Sequence, residues 1–275
     1  MFRKNLKYLL FSFLSLILFA CDQTTEDSEE TTLTVASHLP PMTDIVEIAA
    51  ENIEEPYSIE LMEVSDNIQY NEVVQNDEAF ASFAQHEPFM EQYNEANDGD
   101  LIALQTIYDP IVGFYSPTYD SVDDIEEGAE VAIPNDLSNE TRSLLILEDH
   151  GLLELDKDVK ATEVTLGDIT NNPLDLQFSS VDLLNLTAAY EDGIDLVFNM
   201  PTYIASIDLT PDDALILEDP EDTLFALIVA IREKNADTEA TEALIDAFTS
   251  EAVYDYLVEL ADVNHLYPAF EDPRS

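Results

Sequence analysis

Basic residues are what this chain most lacks. Against 60 aspartates and glutamates it carries nine lysines and arginines in 275 residues, a formal net charge of −51. Phosphate binding needs clustered Lys and Arg, so nucleic acid is excluded as a partner, and so is attachment to anionic lipid through a basic patch. Tryptophan is absent, and six glycines are too few for a collagen-like or low-complexity chain. The single cysteine, Cys21, rules out an internal disulfide. Catalytic signatures are missing as well: there is no Gly-x-Ser-x-Gly, Walker A loop, Gly-x-Gly-x-x-Gly, His-Glu-x-x-His or Cys-x-x-Cys. No Asp-x-Asp-x-Asp-Gly loop of the calcium-wrapping kind occurs, and nothing calls for a cofactor. Hydrophobic residues nevertheless make up 46%, enough for a real core, so the acidity is not that of a disordered chain.

The little positive charge is unevenly placed. Arg3, Lys4 and Lys7 precede an apolar run from Tyr8 to Ala20. A bilayer core of ~30 Å needs about 20 apolar residues, so this run is too short to span one and reads as a secretory signal over residues 1–20. Cys21 closes Leu18-Phe19-Ala20-Cys21, which resembles a bacterial lipobox. The resemblance implies a palmitate-type lipid on Cys21 and a protein held on the extracytoplasmic face of the cell membrane. Residues 21–31, rich in Asp, Glu and Thr, read as an acidic tether. Without the signal, six basic residues face 60 acidic ones. Such self-repulsion destabilises a compact state, but at molar salt the Debye length falls to about 3 Å. The acidity therefore reads as a halophilic surface.

The remaining chain alternates apolar strands with amphipathic helices. Strands are expected at Leu33–Ala36, Tyr57–Val64, Ala79–Phe83, Leu101–Tyr108, Ile111–Ser116, Glu130–Ile133, Asp175–Val181, Ile194–Phe198, Leu215–Leu217 and Leu224–Ile231. Helices are expected at Pro41–Ile53, Asn67–Asn76 and Glu87–Asn97, the last capped by Gly99, and then at Leu183–Glu191, Thr238–Phe248 and Ser250–Ala261. Another should start at Ser138 or Asn139 and run to His150. Such alternation predicts an α/β protein of parallel sheets covered by helices. Two series imply two lobes with a ligand cleft between them, crossing over near Ile111 and Leu224. The predicted division is 32–112 plus 228–275 for the first lobe and 113–227 for the second.

The four histidines, His38, His86, His150 and His265, are far apart in sequence, and lone histidines are usually structural or exposed, although two could meet on a metal. Carboxylates are too numerous to single out an acid–base pair. Arg142 is more informative: it is the only basic residue between Asp22 and Asp156 and follows a strand-to-helix turn, Ile133-Pro134-Asn135-Asp136. That predicts a place in the first helical turn, where arginine suits either a ligand carboxylate or a structural salt bridge.

The stretch AIPNDLSNETRSLLIL resembles the PND-x-x-N-x-x-R-x-L-x-L segment of the NlpA family of methionine-binding lipoproteins. VASHLPPMTDIVEIA, FAQHEPFMEQYN, SPTYDSVDDIEEGAEVAIPND and DLVFNMPTYIASIDLTP resemble further family segments, in family order. The resemblance implies a two-lobed periplasmic-binding-protein fold of type II and a role as the solute-binding protein of an ABC importer, with a permease and its ATPase as partners. It implies no enzyme activity. Arg142 then matches the family arginine for the ligand carboxylate, Asn199 the head-group asparagine, and Gln85 and His86 the QH pair at the cleft. Asn67, Phe89 and Tyr203 fall at the side-chain pocket, but family aromatics are replaced at Asn67 and Ala84, Phe83 is displaced by one position, and Phe89 stands for a tyrosine. Methionine or a related amino acid is the expected ligand, and Arg142→Ala is expected to remove binding with little loss of fold. Two alternatives remain at this point: an exported hydrolase using paired carboxylates, and a metal-delivery lipoprotein using histidines.

Overall fold

The computed structural model describes residues 30–220 and 223–275. The signal-like segment, Cys21 and the tether up to residue 29 lie outside the described residues. Thirteen strands run in chain order as β1 (Thr31–Ser37), β2 (Tyr57–Glu63), β3 (Ala81–His86), β4 (Leu101–Pro110), β5 (Gly113–Tyr115), β6 (Glu130–Pro134), β7 (Glu154–Leu155), β8 (Ile169–Asn171), β9 (Gln177–Val181), β10 (Leu196–Asn199), β11 (Ile216–Leu217), β12 (Leu227–Arg232) and β13 (Leu266–Pro268). The helices are α1 (Met42–Asn52), α2 (Gln69–Gln75), α3 (Glu87–Asn97), α4 (Leu137–Asp149), α5 (Leu186–Glu191), α6 (Pro201–Ile204), α7 (Glu239–Phe248) and α8 (Glu251–Asn264). No helix among the described residues is long and apolar enough to cross a membrane.

Two lobes result. The first holds a six-stranded sheet in the order β13-β4-β12-β3-β1-β2, and the second a five-stranded sheet, β11-β5-β10-β6-β9. The sheets are mixed, not purely parallel as expected. β1 runs parallel to β2 and β3, and β6 parallel to β9 and β10, but β12 and β5 lie antiparallel to their neighbours. These are the strands by which the chain enters a lobe from the other one, so they join sheets whose direction is already set. Both crossovers are short of strand: one is the stretch between β4 and β5, the other runs from β11 to β12. The strands that adjoin them, β5 and β11, come together at Gly113, where a Cβ would sit 2.3 Å from the Ile216 carbonyl oxygen, so only glycine fits.

Each lobe has its own core. In the first, α1, α7 and α8 bury Ile45, Val46, Leu244, Phe248 and Leu257 on one face of the sheet, while α2 and α3 bury Tyr70, Val74 and Met90 on the other. In the second, Leu144 and Leu147 of α4 pack with Leu186, Val131 and Phe198. Each such side chain contributes about 1.5–3 kcal/mol by leaving water.

Local starts and stops differ from expectation in instructive ways. Asp136, not Ser138 or Asn139, caps α4, accepting from the Asn139 N–H at 3.0 Å. The residue that turns left-handed after α3 is Asp98 at φ 53°, not Gly99. β4 runs through Asp109-Pro110 without a break, because the strand ends there and a missing proline N–H costs nothing. Thr31, assigned to the tether, is already in β1.

Candidate functional site

A narrow pocket with a cavity volume of about 40 Å³ lies between the lobes. Asn67, Gln85, His86, Phe89 and Tyr203 all line it. The sequence reading missed Tyr70 and Tyr108, which supply two further rings, and Met42 and Met200, which add thioethers. Burial pushes the Tyr108 and Tyr203 phenols above their usual range, so both stay neutral donors.

His86 sits where β3 hands over to α3. Its Nδ1 accepts from the Phe89 N–H at 3.2 Å and so caps α3. That leaves the proton on Nε2, which donates to Asn139 Oδ1 at 3.1 Å on α4 of the other lobe. Burial, and then the Arg142 guanidinium, push His86 down to about 3 and keep it neutral. Asn139 in turn donates to both oxygens of Asp136, the α4 cap. The starts of two helices in different lobes are thereby linked through one histidine and one asparagine. Asn139 was read in sequence only as a possible cap. The Asp-x-x-Asn spacing that lets Asp136 hold it was its signal.

The Gln85 amide exchanges hydrogen bonds with Asn71 of α2 in both directions. Asn67 precedes α2 and accepts from the Tyr203 hydroxyl at 3.4 Å, another link between lobes. The ring of Tyr203 also meets His38 edge-on at 6.3 Å. Asn199 is fully buried: its Oδ1 accepts from the Met200 N–H at 3.0 Å and its Nδ2 donates to Thr187 Oγ1 at 3.2 Å. It is not on the pocket wall.

Arg142 is not on the wall either. α4 begins at Leu137, so Arg142 falls in its second turn, not its first. The side chain is 1% exposed, bonded to the Pro110 carbonyl and close enough to His86 for its charge to be felt there. Nε donates to Glu218 Oε1 at 2.7 Å, and Nη2 donates to Glu218 Oε2 and, at 2.8 Å, to the Pro110 carbonyl. Phe225 lies under the guanidinium, its centroid 4.7 Å from Cζ. Nη1 is buried and without a partner.

The model of the NlpA lipoproteins matches residues 33–270. This chain belongs to the NlpA lipoprotein family. Among NlpA relatives, the methionine-binding lipoprotein MetQ of Bacillus subtilis is 30% identical over 240 residues, 86% of this chain and 88% of that one. A YaeC-family lipoprotein structure from Enterococcus faecalis is 42% identical, with a TM-score of 0.76 over 87% of this chain and 100% of the other. The structure of a nutrient-binding protein from Burkholderia cenocepacia bound to methionine is 25% identical, with a TM-score of 0.81 over 86% of this chain and 100% of the other.

The positions read from the sequence as departures from the NlpA pattern, Asn67, Ala84 and Phe89, all line the pocket. Tyr70 and Tyr108 keep its walls aromatic. Phe83 is not a displaced wall residue: it is fully buried, edge-on to Tyr108 at 6.0 Å and to Phe248 at 5.3 Å. Among the described residues no Asp or Glu lines this pocket. Asp66, Glu72, Asp136 and Asp182 border a wider recess at its mouth. Of these, Asp66, Asp136 and Asp182 accept backbone N–H groups at the starts of helical turns, and those bonds hold Asp66 below its usual range. Carboxylates spent on caps are poor candidates for acid–base work. No group of three or more His, Cys, Asp or Glu among the described residues could hold a metal ion.

Proposed function

We propose that this NlpA lipoprotein is the extracytoplasmic solute-binding component of an ABC importer, taking an amino acid, methionine first, between its lobes. The observation that carries the reading is the pocket lining. Tyr70, Phe89, Tyr108 and Tyr203, with Met42 and Met200, form the kind of surface on which a thioether packs well. The neighbour of like fold from Burkholderia cenocepacia is bound to methionine. The α-carboxylate would go to Nη1 of Arg142, since charge-assisted hydrogen bonds contribute about 1.5–3 kcal/mol each. Asn199 would hold the head group, with Gln85 and His86 shaping the floor and Asn67, Phe89 and Tyr203 selecting the side chain. Arg142 and Asn199 are buried off the present pocket wall, so the lobes must part before the ligand seats. Closure over it would present the bound form to a permease and its ATPase. No covalent step is required of any residue. A lipid on Cys21, after removal of residues 1–20, would hold the protein at the membrane, and the acidic surface would suit a salty exterior.

Mass spectrometry of small molecules released from the purified, denatured protein tests the ligand, and calorimetry with L- and D-methionine in molar salt tests its affinity. Recovery of methionine with sub-millimolar binding is expected. Recovery of a metal ion, or turnover of a supplied ester or glycoside, would overturn the reading.

A further inference from the structure

The contacts of Arg142 reach beyond the pocket. Pro110, whose carbonyl it binds, is the last residue of β4, where the first crossover begins. Glu218 directly follows β11, where the second crossover begins, and Phe225 lies near its far end, before β12. A single side chain on α4 of the second lobe thus touches both connections between lobes at three points. The connections are also tied to each other beside it. Glu218 donates its N–H to the Val112 carbonyl at 2.9 Å, Leu217 stands opposite Gly113 in the β5–β11 ladder, and the Val112 N–H lies 3.5 Å from Glu218 Oε2.

Stability alone is a weak reason for this arrangement. Arg142 is 1% exposed and Glu218 5%, and buried ion pairs seldom outperform well-packed apolar residues of the same volume. What a side-on pair supplies is geometry. Two parallel bonds fix the guanidinium plane, and the Pro110 carbonyl and the Phe225 ring fix it again from the edge and the face. Three of the five N–H groups then have protein acceptors, and the two on Nη1 have none.

We infer that Glu218 is a positioning residue for Arg142, and that the two, with Pro110 and Phe225, clamp the crossovers together so that an anion at Nη1 stiffens the hinge it must close. The coupling to an anion rests on the proposed role of Arg142 as carboxylate anchor; the clamp does not.

Hydrogen exchange of the full chain in molar salt, read by mass spectrometry with and without L-methionine, separates the two. In Glu218→Gln the peptides covering 109–118 and 214–220 should exchange at least about tenfold faster without ligand, while those covering 31–37 and 130–134 keep wild-type rates. Methionine affinity should fall at least about tenfold, and added methionine should no longer slow the crossovers. Should the amide variant fail to fold, Glu218→Asp keeps the charge but shortens its reach, and it too must loosen both crossovers. Unchanged crossover exchange in a folded variant overturns the clamp, whatever happens to affinity. Faster crossovers in a protein whose wild type ignores methionine support the clamp and overturn the anchor.

Discussion

Two arginines in this molecule are held almost alike and live in opposite surroundings. Arg142 sets Nε and Nη2 side-on to Glu218, and Arg232 sets the same two nitrogens side-on to Asp100, at 2.9 Å each. Arg232 adds Asp77, which Lys234 also reaches, and this network lies at the surface. Its cations hold Asp77 and Asp100 below the usual carboxylate range, through Lys234 first at Asp77 and through Arg232 at Asp100. The difference is water. At the surface, solvent and salt already stabilise each charge, so a pair adds little. In the interior neither charge has a substitute partner, so each depends on the other.

The largest expected effect follows from that dependence. Arg142→Ala leaves the Glu218 carboxylate buried and alone, and urea melts at about 3 M KCl should show a loss of about 3–5 kcal/mol. This replaces the expectation, natural from sequence, that the change would spare the fold. The double change Arg142→Met with Glu218→Leu should return most of that stability while methionine binding stays absent. A single variant losing under about 1 kcal/mol would erase the contrast between the two sites.

His86 extends the contrast to a neutral buried group. Its native pKa, lowered to about 3, lies far under the ordinary value of 6.5. Its contribution is therefore full above pH 6.5 and is lost as pH falls toward 3. One unit below 6.5, at pH 5.5, wild type should have lost about 1.4 kcal/mol that His86→Gln does not lose. Comparing the two proteins at the same salt cancels the many carboxylates. Equal pH slopes would mean that His86 is solvated.

The smallest effect belongs to the surface network. Arg232→Ala should lower the melting midpoint slightly at 0.1 M KCl and not at all at 3 M, because screening removes the interaction that the variant lacks. Over the same range the wild-type midpoint should rise, as repulsion among the excess acids is screened. An Arg232→Ala deficit that persists at 3 M would place that pair with the buried one.

Much of this was legible in the residues. Helical spacing located α1, α3, α7 and α8, because one face of each is buried and the opposite face is charged. β7, β8 and β13 were missed: they are only two or three residues long and owe their pairing to a neighbour. Arg142 announced itself by isolation, but its partner could not. Glu218 is one acid among 60, and only the return of the chain through β11 brings it to the guanidinium. Asn199 shows the same limit in reverse, since its position in a familiar segment did not reveal that it is fully buried and off the pocket wall. Tyr70 and Tyr108 were invisible because a pocket wall and a core look alike in an apolar pattern. The terminal signal and Cys21 remain readable only as sequence.

Helix α3 ends on an aspartate in a left-handed turn, and it is not alone. Asp77, Asp175 and Asp208 adopt the same conformation, with φ between 51° and 61°. Asparagine and aspartate tolerate that region better than other side chains, though less readily than glycine. The chain therefore joins two properties that most proteins inherit separately: the shape of a bend and the hydration of the surface above it. Anyone lowering the acidity of this protein by exchanging acids for lysines would meet the join at once. At Asp98, Asp175 and Asp208 lysine relieves repulsion but strains the bend, at Asp77 it would also face Arg232 and Lys234, and glycine relaxes each bend but frees the unfolded chain. Charge reversal should therefore begin at exposed acids late in the helices, such as Asp246 of α7 and Glu259 of α8, away from the first-turn acids and from Asp255, which pairs with Arg274.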